Sequence, residues 1–393
     1  MHERLHTWIS AHTSDALTML ERLVGMNTWS WNPAGLAASA DALAEAFSPL
    51  GEVTIEPIGD IVRLTDEGTS QEAPLGPAVR VRAEGPGAHV MLIGHHDTVF
   101  APDVPFAWAD EGSRITGPGV VDAKGGLAQV WLALGALAAE GIERSWELLV
   151  VPDEEIGSVG SAPVIRETAS RADIGLGFEP SFPDGTLAAA RAGSANYSFL
   201  VLGRSAHAGR EHHLGRNAVA AAARLVLGLE AMTDRPRILC NPAVLHGGRA
   251  PNIVPDTAVV RANVRAVDGD AADEVEARIA ALCQEVGAED GIDVELHGGF
   301  TRPPKPRNPG YTALLDGIVD RAGELGIGVA YADTGGVCDG NLMADAGLHN
   351  VDNLGPVGGN LHQVGEYLER DSLGPRALLA AALIADPPGS STP

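Results

Sequence analysis

Aromatic residues make up only 4% of this 393-residue chain, too few for a large aromatic binding groove. Its 48 glycines and abundant alanine instead favour close-packed helices and many turns. Cysteine is scarce: Cys240, Cys283 and Cys338 lie far apart, with no C-x-x-C pair. A sparse, odd count excludes a disulfide framework and points to a reducing compartment, the cytoplasm. Basic residues are few, 27 against 52 acids, for a formal charge of -25. A surface this negative repels phosphate backbones and anionic lipid, so neither a nucleic-acid nor a membrane partner is expected. No apolar run reaches the length of a membrane span. The opening Met1-His2-Glu3-Arg4-Leu5-His6 lacks the apolar core of a signal peptide.

Hydrophobic residues at 45% and charged residues at 20% leave ample material for a core and no signature of disorder. The length suits two or three domains. Leu5, Trp8, Ile9, Leu17, Leu20, Leu23 and Val24 fall at helical spacing, and 36–47 repeats the pattern after Asn32-Pro33. Residues 53–64 have strand character, and Val79-Arg80-Val81-Arg82 alternates like an edge strand. The runs at 89–94, 146–151 and 174–178 read as buried strands. An apolar helix at 127–139 follows Gly125-Gly126, and strand–helix alternation predicts a parallel or mixed α/β sheet.

The pattern changes near residue 190. Strand 195–202, helix 217–232, strand 257–267, helix 271–286 and strand 292–296 form a β-α-β-α-β succession that suits a ferredoxin-like insert. Thr301-Arg302-Pro303-Pro304-Lys305-Pro306 then reads as a linker, before helices at 311–325 and 372–384 return to the first domain. Only the tail 387–393 has low complexity.

Five segments place acids and imidazoles at strand ends or in glycine-rich loops. Gly94-His95-His96-Asp97-Thr98 allows a metal–histidine–carboxylate triad in which Asp97 fixes the tautomer of His95, or is an ordinary polar turn. Asp122 sits in Gly117-Pro118-Gly119-Val120-Val121-Asp122-Ala123-Lys124-Gly125-Gly126, as a ligand or as a helix cap. Asp153-Glu154-Glu155 follows a buried strand, and crowding like charges there costs energy unless a cation or proton compensates. A solvated acidic loop is the alternative. Gly177-Phe178-Glu179-Pro180 adds a fourth carboxylate, and Gly358-Gly359-Asn360-Leu361-His362 a histidine that could also be a surface residue. Together His95, Asp122, Glu155, Glu179 and His362 suit two zinc ions, provided one carboxylate bridges and a free Glu remains for proton work.

The order of these motifs along essentially the whole chain resembles the co-catalytic zinc aminoacylases and carboxypeptidases. That family includes glutamate carboxypeptidase, acetylornithine deacetylase and succinyl-diaminopimelate desuccinylase. The resemblance implies a zinc-peptidase-like α/β catalytic domain, with a mixed, mostly parallel sheet flanked by helices, from residues 1–192 and 302–393. An inserted ferredoxin-like α+β lid and dimerisation domain would span 193–301.

Asp122 looks like the bridging carboxylate, with His95, Glu155, Glu179 and His362 as the other ligands of two Zn2+ (Co2+ or Mn2+ as alternatives). Glu154 resembles the general base toward metal-activated water, and Asp97 the partner of His95. A glutamate at 179 leans to the carboxypeptidase-like branch. Gly203-Arg204-Ser205-Ala206-His207-Ala208-Gly209 resembles the lid motif, whose histidine, here His207, reaches across a homodimer interface to the scissile carbonyl. Asn252 and Arg265 resemble the residues that grip substrate, Arg265 taking a carboxylate through its planar fork. Gly335 and Gly336 shape the pocket by analogy.

The implied substrate is a small molecule or dipeptide bearing a carboxylate. An N-acyl amino acid deacylase with the same residues, and a non-catalytic binding protein on the same fold, remain as alternatives. An α/β oxidoreductase is disfavoured because no G-x-G-x-x-G follows the first strand. His96, at a position usually small or apolar in the family, reads as structural. Asp153 and Asp339 have no assigned role, and His349 is a less suitable final ligand than His362.

Overall fold

The computed structural model describes residues 1–389; the last residues of the low-complexity tail lie outside the described residues. Its main sheet has six strands in the order Glu52–Glu56, Ala78–Ala83, Trp146–Val151, Val90–His95, Ile174–Gly177 and Asn350–Val351. The first two strands join antiparallel, and the last four run parallel to one another. Strands 90–95, 146–151 and 174–177 are buried throughout, which explains their continuous apolar runs in place of alternation.

Each central strand serves two cores by its period of two. Val90, Leu92, Leu148 and Val150 join the larger apolar cluster under helices His2–Val24, Lys124–Ala139 and Leu373–Ala385. Met91, Ile93, Leu149 and Val151 face the opposite layer, with Leu342 and Met343. Truncating one such leucine to alanine costs about 2–5 kcal/mol. Helix starts follow the sequence signals. Asn32 and Asn308 cap helices that begin with Pro33 and Pro309, and Asp268 accepts the Ala271 N–H at 2.8 Å.

A second, fully antiparallel sheet runs Ile238–Gly247, Thr257–Ala266, Gly193–Leu202, Asp293–Arg302. Helices Ala218–Glu230 and Gly269–Gly287 cover one face, around an apolar cluster of its own. The succession is therefore β-α-β-β-α-β, one strand more than the sequence pattern predicts. The extra strand carries Pro242 at a register shift, where a bulge tolerates the missing N–H. The region at 53–64 is also two strands, not one: Glu52–Glu56 joins the main sheet, and Ile61–Leu64 pairs with Ser70–Ala73 in a hairpin. Thr301 and Arg302, expected in a linker, are the last residues of a ten-residue strand.

Candidate active site

Three parallel interior strands deliver most of the candidate side chains to one end of the sheet. His95 lies opposite Val151, and Ile93 opposite Gly177. The segments that follow these strands, carrying Asp97, Asp153-Glu154-Glu155 and Glu179, therefore emerge side by side at the carboxyl ends, where open α/β sheets place ligands. Asp122 arrives on the loop before helix Lys124–Ala139, and His362 on a turn between strands Gly358–Gly359 and Tyr367–Glu369. Gly126 lets that helix approach closely, since a Cβ there would lie 2.2 Å from the Phe178 carbonyl oxygen. Lys124 is buried and its Nζ donates to the Leu23 and Met26 carbonyls at 3.0 and 3.3 Å. It fixes the loop to the end of the first helix.

Asp122 turns one oxygen to each of two imidazoles. Its Oδ1 is 3.1 Å from His95 Nε2, and its Oδ2 is 3.3 Å from His362 Nε2. Glu179 Oε1 stands 3.7 Å from the His95 nitrogen, and Glu155 Oε2 3.1 Å from that of His362. Ligand atoms of His95, Asp122 and Glu155 all lie within 4.8 Å of one another. The five side chains thus form two groups that share Asp122. Imidazole nitrogen and carboxylate oxygen are donors that fit a divalent cation of the zinc type.

The electrostatics suit a bound cation. Burial raises Glu179, and burial together with the Asp122 charge pushes Glu155 up to about 7. Hydrogen bonds to Asp122 and Glu155 push His362 up to about 11. Burial opposes protonation of His95, yet Glu179, Asp122 and Asp97 together raise it well above its usual value. A divalent cation held by this donor set would offset the crowded carboxylate charge and would need both rings in their neutral form.

Asp97 organises both sides of the site. His95 Nδ1 is 3.1 Å from the Asp97 carbonyl oxygen and 3.2 Å from its Oδ1. In the neutral ring this places the proton on Nδ1 and aims the Nε2 lone pair at the site. Asp97 also accepts the N–H groups of Glu154 and Glu155, each at 3.1 Å, and the Ser30 hydroxyl at 2.7 Å. Burial opposes its ionisation, but the His95 and Ser30 contacts prevail and hold it below the usual carboxylate range.

Glu154 is buried and meets Arg302. One guanidinium nitrogen, Nη2, donates to Glu154 Oε1 at 2.7 Å, the Glu154 carbonyl at 2.8 Å, Ser158 Oγ at 2.9 Å and Asp339 Oδ1 at 3.2 Å. Burial raises Glu154 well above the ordinary range, and Arg302 pulls it back only in part. Asp339 is thus a partner of Arg302 and Ser158. Asp153 accepts the Gly160 and Ser161 N–H groups at 2.8 and 3.2 Å, and shapes the turn. His96 is buried with Nε2 3.1 Å from the Pro77 carbonyl, and burial pulls it down to about 4. His349 lies against Gly310.

His207, Asn252 and Arg265 lie between residues 193 and 302, and Gly335 and Gly336 follow strand Tyr331–Thr334. His207 and Asn252 are exposed, and among the described residues no hydrogen bond or ion pair joins either to the site above. His207 Nδ1 accepts the N–H groups of Gly209 and Arg210, both at 3.2 Å, which leaves Nε2 as the protonated, outward nitrogen of the neutral ring. Arg265 is half-buried and donates Nε to Asn263 Oδ1 at 2.9 Å. Asn263 is itself held by Ser194, Ala195 and Asn196. Arg265 and Arg302 both pair across strands with Ser194, so they share one face of the antiparallel sheet. Gly335 and Gly336 are exposed, and a Cβ at Gly336 would come 3.7 Å from Arg191 Nη1. The sequence reading missed Ser30, Ser158, Arg302, Asn263 and Glu366.

The chain belongs to peptidase family M20/M25/M40, whose pattern matches residues 91–386. It is a metal-dependent hydrolase on an α/β fold with mixed sheets flanked by helices. It is similar to carboxypeptidase G2 of Pseudomonas sp. (strain RS-16), with 30% identity over 93% of this chain and 88% of that protein. Succinyl-diaminopimelate desuccinylase of Bordetella parapertussis is 28% identical over 77% of this chain and 85% of its own. An M20 family metallo-carboxypeptidase from Sulfolobus solfataricus shares the fold at a TM-score of 0.74 and 18% identity, covering 94% of this chain and 98% of that one. No helix among the described residues is long and apolar enough to cross a membrane.

Proposed function

We propose that the protein hydrolyses an amide or peptide bond next to a carboxylate in a small substrate, in the manner of a glutamate carboxypeptidase. The observation that carries this reading is the Asp122 carboxylate, with one oxygen toward His95 and the other toward His362, beside the buried acid Glu154. His95, Asp122 and Glu179 would hold one divalent ion, and His362, Asp122 and Glu155 a second. Zinc fits this donor set, with cobalt or manganese as alternatives. When bound, such ions supply Lewis acidity that polarises a carbonyl and acidifies water.

Glu154 takes the proton of the attacking water and hands it to the leaving nitrogen, as base and then acid. Asp97 keeps Glu154 and Glu155 in place through their N–H groups. His207 Nε2–H donates to the developing oxyanion from a partner subunit in a homodimer; its exposed place on the insert supports this. Residues 193–301 act as the lid and dimerisation domain, and 1–192 with 302–393 as the catalytic domain. Arg265 and Asn252 hold the substrate carboxylate, beside a pocket bordered by Gly335 and Gly336. Support comes from Arg265, a half-buried cation on the same sheet face as Arg302, in a chain whose formal charge is -25. Three free thiols fit a cytoplasmic setting.

A second reading, deacylation of N-acyl amino acids, draws on the desuccinylase relative. Profiling C-terminal glutamate and aspartate dipeptides against N-acyl amino acids separates the two. Glu154→Ala should abolish turnover while both metal equivalents remain bound, and retained activity would defeat the assignment. Arg265→Ala should raise KM mainly for substrates with a free α-carboxylate. An unchanged KM rejects the anchor.

A further inference from the structure

We propose that Glu366 sets the cation affinity of the half-centre built on His362, Asp122 and Glu155, by tying the two loops that carry His362 and Asp122 into one piece. The proposal rests on the two-ion reading above. Glu366 follows His362 by four residues and is 1% exposed. Its Oε1 accepts the N–H groups of Val121 at 2.9 Å and Asp122 at 3.1 Å. Its Oε2 accepts that of Gly119 at 3.3 Å, and its carbonyl accepts the Gly117 N–H at 3.2 Å. Among the described residues, every backbone-amide hydrogen bond between loop 117–123 and turn 360–366 ends on Glu366. A curved run of N–H groups around one carboxylate is an anion-binding concavity, occupied here by the chain's own side chain.

The tie matters more to one half-centre than to the other. His95 ends a strand that is paired on both sides, is itself fully buried, and is oriented by Asp97. Asp122 is held toward it by the start of helix Lys124–Ala139, where the Lys124 N–H bonds the Gly119 carbonyl at 3.0 Å. His362 has a side chain 54% exposed and a left-handed φ of 62°. Its turn closes on itself through the Asn360 side chain and the Gly365 carbonyl, at 3.1 Å. The distance between His362 and Asp122 is therefore governed by the flanking strands and by Glu366.

Glu366 is thus a positioning residue, acting on ligands through their backbone. Loss of such an outer partner weakens metal affinity about 10–100-fold, and here the loss should fall on one binding step of two. Glu366→Gln keeps the size and the two Oε1 bonds, but turns an NH2 toward the Gly119 N–H. The test is calorimetric titration of ion-free wild type, Glu366→Gln, His362→Ala and the double variant with Zn2+, with circular dichroism to check folding.

The expected result is two steps in the wild type and one step weakened about 10–100-fold in Glu366→Gln. That step should be the one His362→Ala removes, with little further loss in the double variant. A wild type that takes up one ion overturns the two-ion reading and this inference with it. A wild type that takes up two, alongside a folded Glu366→Gln that binds both as tightly or loses both equally, overturns the inference alone. If Glu366→Gln fails to fold, Glu366→Asp, which keeps the charge on a shorter stem, must show the same one-step loss.

Discussion

Replacing Arg302 by methionine keeps most of the side chain's stem and removes the guanidinium that serves Glu154, Ser158 and Asp339. The side chains of Glu154 and Asp339 are 11% and 4% exposed, so two acids lose their cation in a poorly solvated place. Breaking a buried pair from one side costs about 3–5 kcal/mol. The loss has a definite pH dependence. Burial already holds Glu154 above its usual range and Arg302 opposes that rise, so the variant's Glu154 rises further. A carboxyl whose folded pKa exceeds its unfolded value of about 4.3 adds no penalty below that value, and the penalty grows as pH climbs toward the folded pKa. The deficit is therefore small at about pH 5 and larger at about pH 8. Guanidinium chloride unfolding of the ion-free protein at both pH values measures it. In the loaded enzyme, the acid limb of the kcat/KM profile should move to higher pH. Equal deficits at the two pH values, with the acid limb unmoved, would refute the reasoning.

Asp97→Asn offers one oxygen where two are used, so its NH2 must face the N–H of Glu154 or of Glu155. Metal affinity should fall about 10–100-fold, and a calorimetric titration indistinguishable from wild type would remove Asp97 from the role given to it. Hydrogen bonds to Asp122 and Glu155 hold His362 at about 11, so in the ion-free protein the ring is protonated at neutral pH and uptake must expel that proton. Affinity should drop about tenfold for each unit that the pH falls, per proton displaced. Titrations in buffers of different ionisation enthalpy count those protons, and uptake without proton release contradicts the assignment.

That the candidate ligands His95, Asp122, Glu155, Glu179 and His362 come together was legible because chemistry and strand ends coincide in the chain. Each acid or imidazole follows a short apolar run or a glycine pair, and parallel strands bring such ends together. The residues that hold these side chains in place were not legible. Glu366 binds backbone N–H groups, and a carboxylate used in that way leaves no periodic trace; its one signal is a lone acid between Gly365 and a short strand. Arg302 looked like linker because prolines follow at once, yet its strand continues to that residue before Pro303 and Pro304 end it. The strand Ile238–Gly247 was hidden by Pro242, which reads as a break and is accommodated at a bulge. Pro57 and Gly59 divide what seemed one strand into two that serve different sheets.

His362 and Asp122 lie far apart in sequence, with the whole antiparallel sheet and its two helices between them, and they meet only in the folded chain. An ion held there clasps a very long loop shut and has no comparable site once the chain opens. By mass action, free ion at about 100 times its dissociation constant adds about 2.7 kcal/mol to folding, and at about 1,000 times about 4.1. On the two-ion reading proposed above, the ion supply of the surroundings would set part of the folding free energy, and a chelator would withdraw that part without touching a single covalent bond.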